Sequence, residues 1–225
     1  MPVPGPAGAR LSLMYRNRED AARQLAKALM AWRGKRPVIY AIPRGAVPIG
    51  RLIQQQLDGE LDVVLVHKLG APGNPEFAIG AVAESGWKYV DDRYGAAGAS
   101  ERYLADEAAA QLQTLHRRRE QYACASIPAT GRVAIVVDDG LATGATMIAA
   151  LHALRAQQPQ RLICAVPVAS RDSLEKVRPL ADEVVCLSAP PDFYAVGQFY
   201  ETFGQVDDEQ VMRDLKAARE PEGPA

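Results

Sequence analysis

The chain has 225 residues, 48% hydrophobic and 24% charged, and its 26 Lys and Arg nearly balance 27 Asp and Glu for a formal net charge of −1. That composition is ordinary for a soluble globular protein and excludes collagen-like, disordered and coiled-coil classes. The length suits one domain with insertions, or one plus a small lobe, able to bury ~70% or more of its unfolded surface without a disulfide or metal staple. The balanced charge, with a pI ≈ 6.3, argues against a protein living on nucleic-acid phosphates, which usually shows a basic excess.

Cys124, Cys164 and Cys186 are scattered, with no CxxC and no partnered histidine. That is neither a zinc pattern nor a secreted disulfide framework. Cys164 and Cys186 sit in apolar runs and read as buried thiols. His67, His116 and His152 are equally dispersed. No apolar run approaches the ~20 residues of a membrane span. The opening MPVPGPAGAR lacks the apolar core of a signal peptide and is expected to be a disordered tail over residues 1–10. A cytoplasmic protein is expected, and no internal repeat is evident.

A helical pattern runs from Arg18 to Trp32, with Ala22, Leu25 and Leu29 on one face and Gly34 closing it. Pro37–Pro43 predicts a strand, Val47–Leu57 a helix and Leu61–Val66 another strand. Lys68–Glu76, rich in Gly, Pro and Asn, predicts a loop. Ala78–Ala83 and Trp87–Val90 predict a hairpin turning at Ser85-Gly86. Ser100 then caps a long helix to about Tyr122. Its basic run His116–Arg119 suits the negative end of the helix dipole; a phosphate or RNA patch is the alternative.

Val133–Val137 is apolar at every position, as in a strand covered on both faces. It runs into DDGLATGAT and a helix over Ala145–Gln157. Leu162–Val166 and Val184–Leu187 predict strands, Arg171–Val177 and Glu209–Arg219 helices, and Pro190–Gly204 is rich in aromatics. Strands alternating with helices predict an α/β fold, a mostly parallel central sheet flanked by helices. Ligands in such folds sit at the carboxyl ends of the strands.

The stretch VAIVVDDGLATGAT carries the chemistry. A buried strand ends in Asp138 and Asp139, and Ala142-Thr143-Gly144-Ala145-Thr146 turns into a helix. Successive backbone N–H groups in such a turn form a nest for an anion, and the helix N-terminus adds its partial positive charge. This is a phosphate-monoester cup without a lysine. The acids across from it suit a ribose, whose hydroxyls donate to carboxylates while the cup holds its 5′-phosphate. No Walker or GxGxxG pattern is present. An ordinary strand-turn-helix would leave the two acids costly and unused.

VVDDGLATGAT resembles the phosphoribosyl-pyrophosphate (PRPP) signature of type I phosphoribosyltransferases, with Ala142 where many members carry Thr or Ser. The resemblance implies an α/β core, a small hood that recognises the nucleophile, and a homodimer. The core pattern covers about Arg18 to Leu187. Ile42-Pro43-Arg44-Gly45 stands where the family binds pyrophosphate, often through a cis peptide beside a glycine. Read alone, Arg44 is a cation next to a glycine in a strand-to-helix turn, suited to a polyanion. Lys68 resembles the basic residue that touches the pyrophosphate side. Gly73, Asn74 and Glu76 lie where the family's mobile catalytic loop begins, a loop that closes over the reaction and excludes water. The GAPGNPE segment and the FYAVGQFYETF tail are similar to a subgroup of predicted phosphoribosyltransferases of unassigned substrate.

The implied reaction is displacement of pyrophosphate at ribose C1 by a nitrogenous acceptor such as a nucleobase, with magnesium (Mg2+) brought mainly by the substrate. Asp138 and Asp139 would take the ribose hydroxyls and, indirectly, Mg2+, with Asp139 the candidate for moving a proton. Phe193 and Tyr194 are candidates to stack on the acceptor; packing within the hood is the alternative for these, for Phe199, Tyr200 and Phe203, and for Trp87 and Tyr89. The expected layout is a tail over residues 1–10, a core over 11–189 with a helical insertion about 99–122, and a C-terminal hood segment and helix over 190–225. A non-catalytic PRPP- or nucleotide-sensing regulator of the same fold is the rival reading. A membrane is not expected as partner, and nucleic acid is disfavoured.

Overall fold

The computed structural model describes residues 14–90, 94–122 and 126–220. The expected tail over residues 1–10, and Cys124, lie outside them. Helix α1 (Arg18–Ala28) is capped by the Asn17 side chain, which accepts from the Asp20 N–H. It stops short of Trp32 because Met30–Trp32 tightens into a 3-10 turn. Strand β1 (Val38–Ala41), helix α2 (Val47–Leu57) and strand β2 (Glu60–Val63) follow. Next come β3 (Val66–Ala71), β4 (Asn74–Ala83), β5 (Lys88–Val90) and the long helix α3 (Glu101–Gln121), capped by Ser100. The remainder is β6 (Val133–Val137), α4 (Ala145–Arg155), β7 (Arg161–Val168), α5 (Arg171–Val177), β8 (Glu183–Ser188) and α6 (Asp208–Ala217).

A five-stranded parallel sheet in the order β2-β1-β6-β7-β8 forms the centre, as the alternating pattern predicts. Its side chains alternate between two cores. Ile39, Ala41, Ile135 and Val137 face Leu25 of α1 and Ile49 and Ile53 of α2. Val38, Tyr40, Ala134 and Val136 face Met147 and Leu151 of α4. Every residue of β1 and β6 is buried, the condition for an uninterrupted apolar strand.

Two expectations fail in the next segment. The strand predicted over Leu61–Val66 is divided, because β2 ends at Val63 and Val66 already belongs to a separate antiparallel sheet, β3-β4-β5. The loop predicted over Lys68–Glu76 is the turn end of the β3–β4 hairpin, strand except at Pro72-Gly73. Its glycines and prolines shape strands here. Register shifts on both sides of Gly70 make a bulge, with the Pro75 backbone pressed against Gly70, and Gly73 (φ +72) sits in the turn. The β4–β5 hairpin turns at Ser85-Gly86 as predicted. This small sheet packs between α3 and α4, through Leu69 and Ile79 toward Leu104 and through Ala81 and Ala83 toward Met147.

The C-terminal segment is zipped to the start of the described chain. Tyr15 N–H donates to Phe199 O (3.0 Å), and the N–H groups of Glu201 and Thr202 donate to Tyr15 and Arg16 carbonyls (both 2.9 Å). Phe199 and Tyr200 pack with Tyr15, Ala21 and Val168 in a small core of their own. Trp87 stacks on His152 at 4.1 Å between ring centroids.

The basic run of α3 does more than face the helix dipole. Arg119 holds Asp62 of β2 (2.9 Å) and Glu84 beyond β4 (2.8 Å), and Asp62 is wholly buried. One guanidinium therefore fastens the inserted helix, the central sheet and the small sheet together. Arg119→Met removes the cation from a buried carboxylate and is expected to cost about 3 kcal/mol, read from the shift in urea unfolding midpoint.

Candidate active site

Strand β6 leaves Asp138 and Asp139 at its carboxyl end, beside the end of β1. Asp138 Oδ1 accepts from the Asp139 N–H (2.8 Å). Burial pushes the Asp138 carboxyl well above its ordinary range, and the neighbouring Asp139 charge pushes the same way; the Asp139 N–H, Lys68 and Arg18 oppose them. Burial also raises Asp139, against the pull of Arg18. Arg18 donates to Asp139 Oδ2 from both Nε (3.0 Å) and Nη2 (2.8 Å). Tyr200 Oη donates to the Asp139 carbonyl (2.7 Å), tying the acid pair to the C-terminal segment.

After the acids the chain crosses to β7, where Leu141 N–H donates to Val168 O and Ser170 N–H to Leu141 O (both 2.9 Å). Gly144, in the left-handed region (φ +79), then opens α4. The Ala142 carbonyl is clamped from outside by the hydroxyls of Ser170 (2.9 Å) and Ser173 (2.7 Å) of α5. Because the peptide is planar and trans, fixing that carbonyl fixes the Thr143 N–H on the opposite side.

Asp138, Asp139, Gly45, Lys68, Ala142, Thr143, Gly144 and Thr146 all line one pocket of about 280 Å³. Pro43 and Arg44 are joined by a cis peptide, and Gly45 follows. A Cβ on Gly45 would run into the Asp139 carboxylate and lie 3.2 Å from Arg18 Nη2, so any larger residue there would have to displace that carboxylate. Two further cavities adjoin this pocket. One of about 500 Å³ contains Arg44 and Arg18, with Arg44 reaching Asp208 of α6 at 3.6 Å. The other, about 470 Å³, contains Ala145, Phe193 and Tyr194, together with Phe77 and Tyr89 of the small sheet. Tyr194 is 84% exposed, unlike the buried Phe199 and Tyr200. Gly73 sits in the exposed β3–β4 turn and Asn74 begins β4, and neither lines any of the three cavities; Glu76 lies in β4, one residue before Phe77.

Sequence reading missed Arg18, Ser170 and Ser173. A signal existed for Arg18. A cation in the first turn of a helix opposes the helix dipole and implies a compensating partner elsewhere. The serines gave only the ordinary signature of a helix cap.

The phosphoribosyl transferase domain family matches residues 14–203. The chain belongs to this family. Two proteins from Mycobacterium tuberculosis strains, CDC 1551 / Oshkosh and H37Rv, are each 40% identical to it over 213 residues; their names give phosphoribosyl transferase only as a provisional assignment. The match takes in 91% of this chain and 47% of theirs, so the chain spans about half the length of the curated relatives it matches. The crystal structure of TT1426 from Thermus thermophilus is 45% identical, with a TM-score of 0.77, covering 89% of this chain and 97% of that one. The α/β architecture of this phosphoribosyltransferase-family chain, a parallel sheet flanked by helices, is thus shared with a solved relative.

Among the described residues, no cluster of three or more His, Cys, Asp or Glu could hold a metal. The Asp138 and Asp139 carboxylates nevertheless offer oxygen donors that would suit a hydrated Mg2+ taking its remaining ligands from substrate and water. Ser173→Ala frees one side of the Ala142 carbonyl while leaving the Ser170 cap. It is expected to weaken ribose 5-phosphate binding by about three- to tenfold, measured by calorimetry.

Proposed function

We propose that the chain transfers a 5-phosphoribosyl group from PRPP to a nitrogenous acceptor, with Mg2+ and release of pyrophosphate. The observation that carries this reading is the single pocket in which an acid pair faces the Ala142–Thr146 turn, with Gly45 and Lys68 on its flank. Asp138 and Asp139 accept from the ribose hydroxyls and orient the sugar. The Ala142–Thr146 turn holds the 5′-phosphate on its N–H groups at the start of α4. Lys68, Arg44 and the Gly45 backbone take the pyrophosphate and stabilise the charge that develops on it as the C1–O bond breaks. Bound Mg2+ would supply further neutralisation of that leaving group.

The acceptor enters from the aromatic cavity, which meets the phosphate turn at Ala142 and Thr143. Phe193 and Tyr194 offer ring faces suited to a planar, nucleobase-like acceptor. Excluding water there protects the oxocarbenium-like centre from hydrolysis.

Calorimetry with PRPP and Mg2+ tests the reading. The native chain binds, and Asp138→Asn/Asp139→Asn, which keeps shape and removes charge, loses about 10²-fold or more in affinity. Failure of the native chain to bind PRPP at millimolar concentration would overturn it. Screening nucleobases and amines for pyrophosphate release then identifies the acceptor. Tight PRPP binding with no release for any of them would favour the regulator.

A further inference from the structure

Arg18 lies in the 500 Å³ cavity with Arg44, and each guanidinium is paired with its own carboxylate, Asp139 and Asp208. Arg18 is placed with care. Its Nη1 donates to the Gly204 carbonyl (2.6 Å), and its Cζ stands 3.8 Å above the Phe203 ring. Its side chain is only 14% exposed. The ion pair it makes is nonetheless short of the strongest geometry. Nε and Nη2 both fall on Oδ2 of Asp139, whereas a guanidinium fork is matched best by two separate oxygens. A diphosphate presents such an oxygen pair. The carboxylate Arg18 now occupies is also the one needed for the ribose hydroxyls.

We infer that Arg18 is an exchange ligand for the diphosphate of the substrate. When a diphosphate enters the arginine cavity, the fork passes from Asp139 Oδ2 to diphosphate oxygens and releases the Asp139 carboxylate toward the sugar. Gly204 and Phe203 keep the guanidinium in place during the exchange, so the main motion is rotation of the carboxylate. Arg18 thereby distinguishes a ribosyl phosphate that carries a leaving group from one that does not. The inference rests on the phosphoribosyl-transfer reading and adds a specificity-determining residue to it.

The test compares PRPP, ribose 5-phosphate and pyrophosphate, each with Mg2+, by calorimetry on the native chain, Arg18→Met and Arg18→Lys. Thermal unfolding checks each variant. PRPP and pyrophosphate affinities are expected to fall about tenfold or more in Arg18→Met. Ribose 5-phosphate should bind as well as before or more tightly, because Asp139 is free. Arg18→Lys, a point charge without the fork, should recover part of the loss, and it carries the test if Arg18→Met does not fold. An equal loss for all three ligands would mark Arg18 as structural only. An unchanged ratio of PRPP to ribose 5-phosphate affinity would sink the exchange while leaving the transferase reading intact. Failure of the native chain to bind any of the three would sink both.

Discussion

Two carboxylates end a strand that has no exposed residue, and the surrounding structure is organised around that fact. A paired acid in such a place is destabilised twice, by lost hydration and by its neighbour. Part of the compensation is local, from the Asp139 N–H to Asp138. The rest must be brought from elsewhere in the chain. Lys68 arrives from β3 and Arg18 from the opening turn of α1, and both draw the Asp138 carboxyl back toward its ionised form. The second sheet and the first helix are therefore electrostatic parts of the site as well as packing elements.

The supports of the acid pair are fixed in turn by longer-range ties. Arg18 is held by Gly204 and Phe203, and that segment is zipped to residues 14–16 by backbone hydrogen bonds near Phe199 and Thr202. Tyr200 closes the circuit by donating to the Asp139 carbonyl. On the other flank, Lys68 depends on the small sheet, which Arg119 fastens to Asp62 of the central sheet through Glu84. A disturbance of either tie reaches the carboxylates through one or two intermediates.

The parallel sheet was legible because β6 is apolar throughout and short apolar runs alternate with helical patterns, the long α3 carrying a clear cap at Ser100. The acid pair and its phosphate turn were legible because the site is local; eight residues written consecutively or nearly so fall in one pocket with Gly45 and Lys68. The β3–β4 hairpin was not. Gly70 and Pro75 are loop residues by composition, and only their mutual contact across a bulge makes them strand residues. Arg18 and Ser173 were missed for a related reason, since their partners Asp139 and Ala142 lie far away in sequence.

The two flanking cavities differ in a way that gives the proposed reaction a direction. The arginine cavity shares Gly45, Asp139 and Val196 with the central pocket, whereas the aromatic cavity shares Ala142 and Thr143. They open from different parts of the pocket. A sugar held there by its hydroxyls and its 5′-phosphate has separate spaces beside it, one with guanidinium groups and one with ring faces. In the proposed reaction a charged leaving group would be stabilised in the first, and a planar nucleophile would meet the rings of the second. Displacement at a single carbon needs its entering and leaving groups on separate sides, each desolvated by a different chemistry. In the proposed reaction pyrophosphate would therefore leave toward Arg18 and Arg44, and the acceptor would be met by Phe193 and Tyr194 in the opposite cavity.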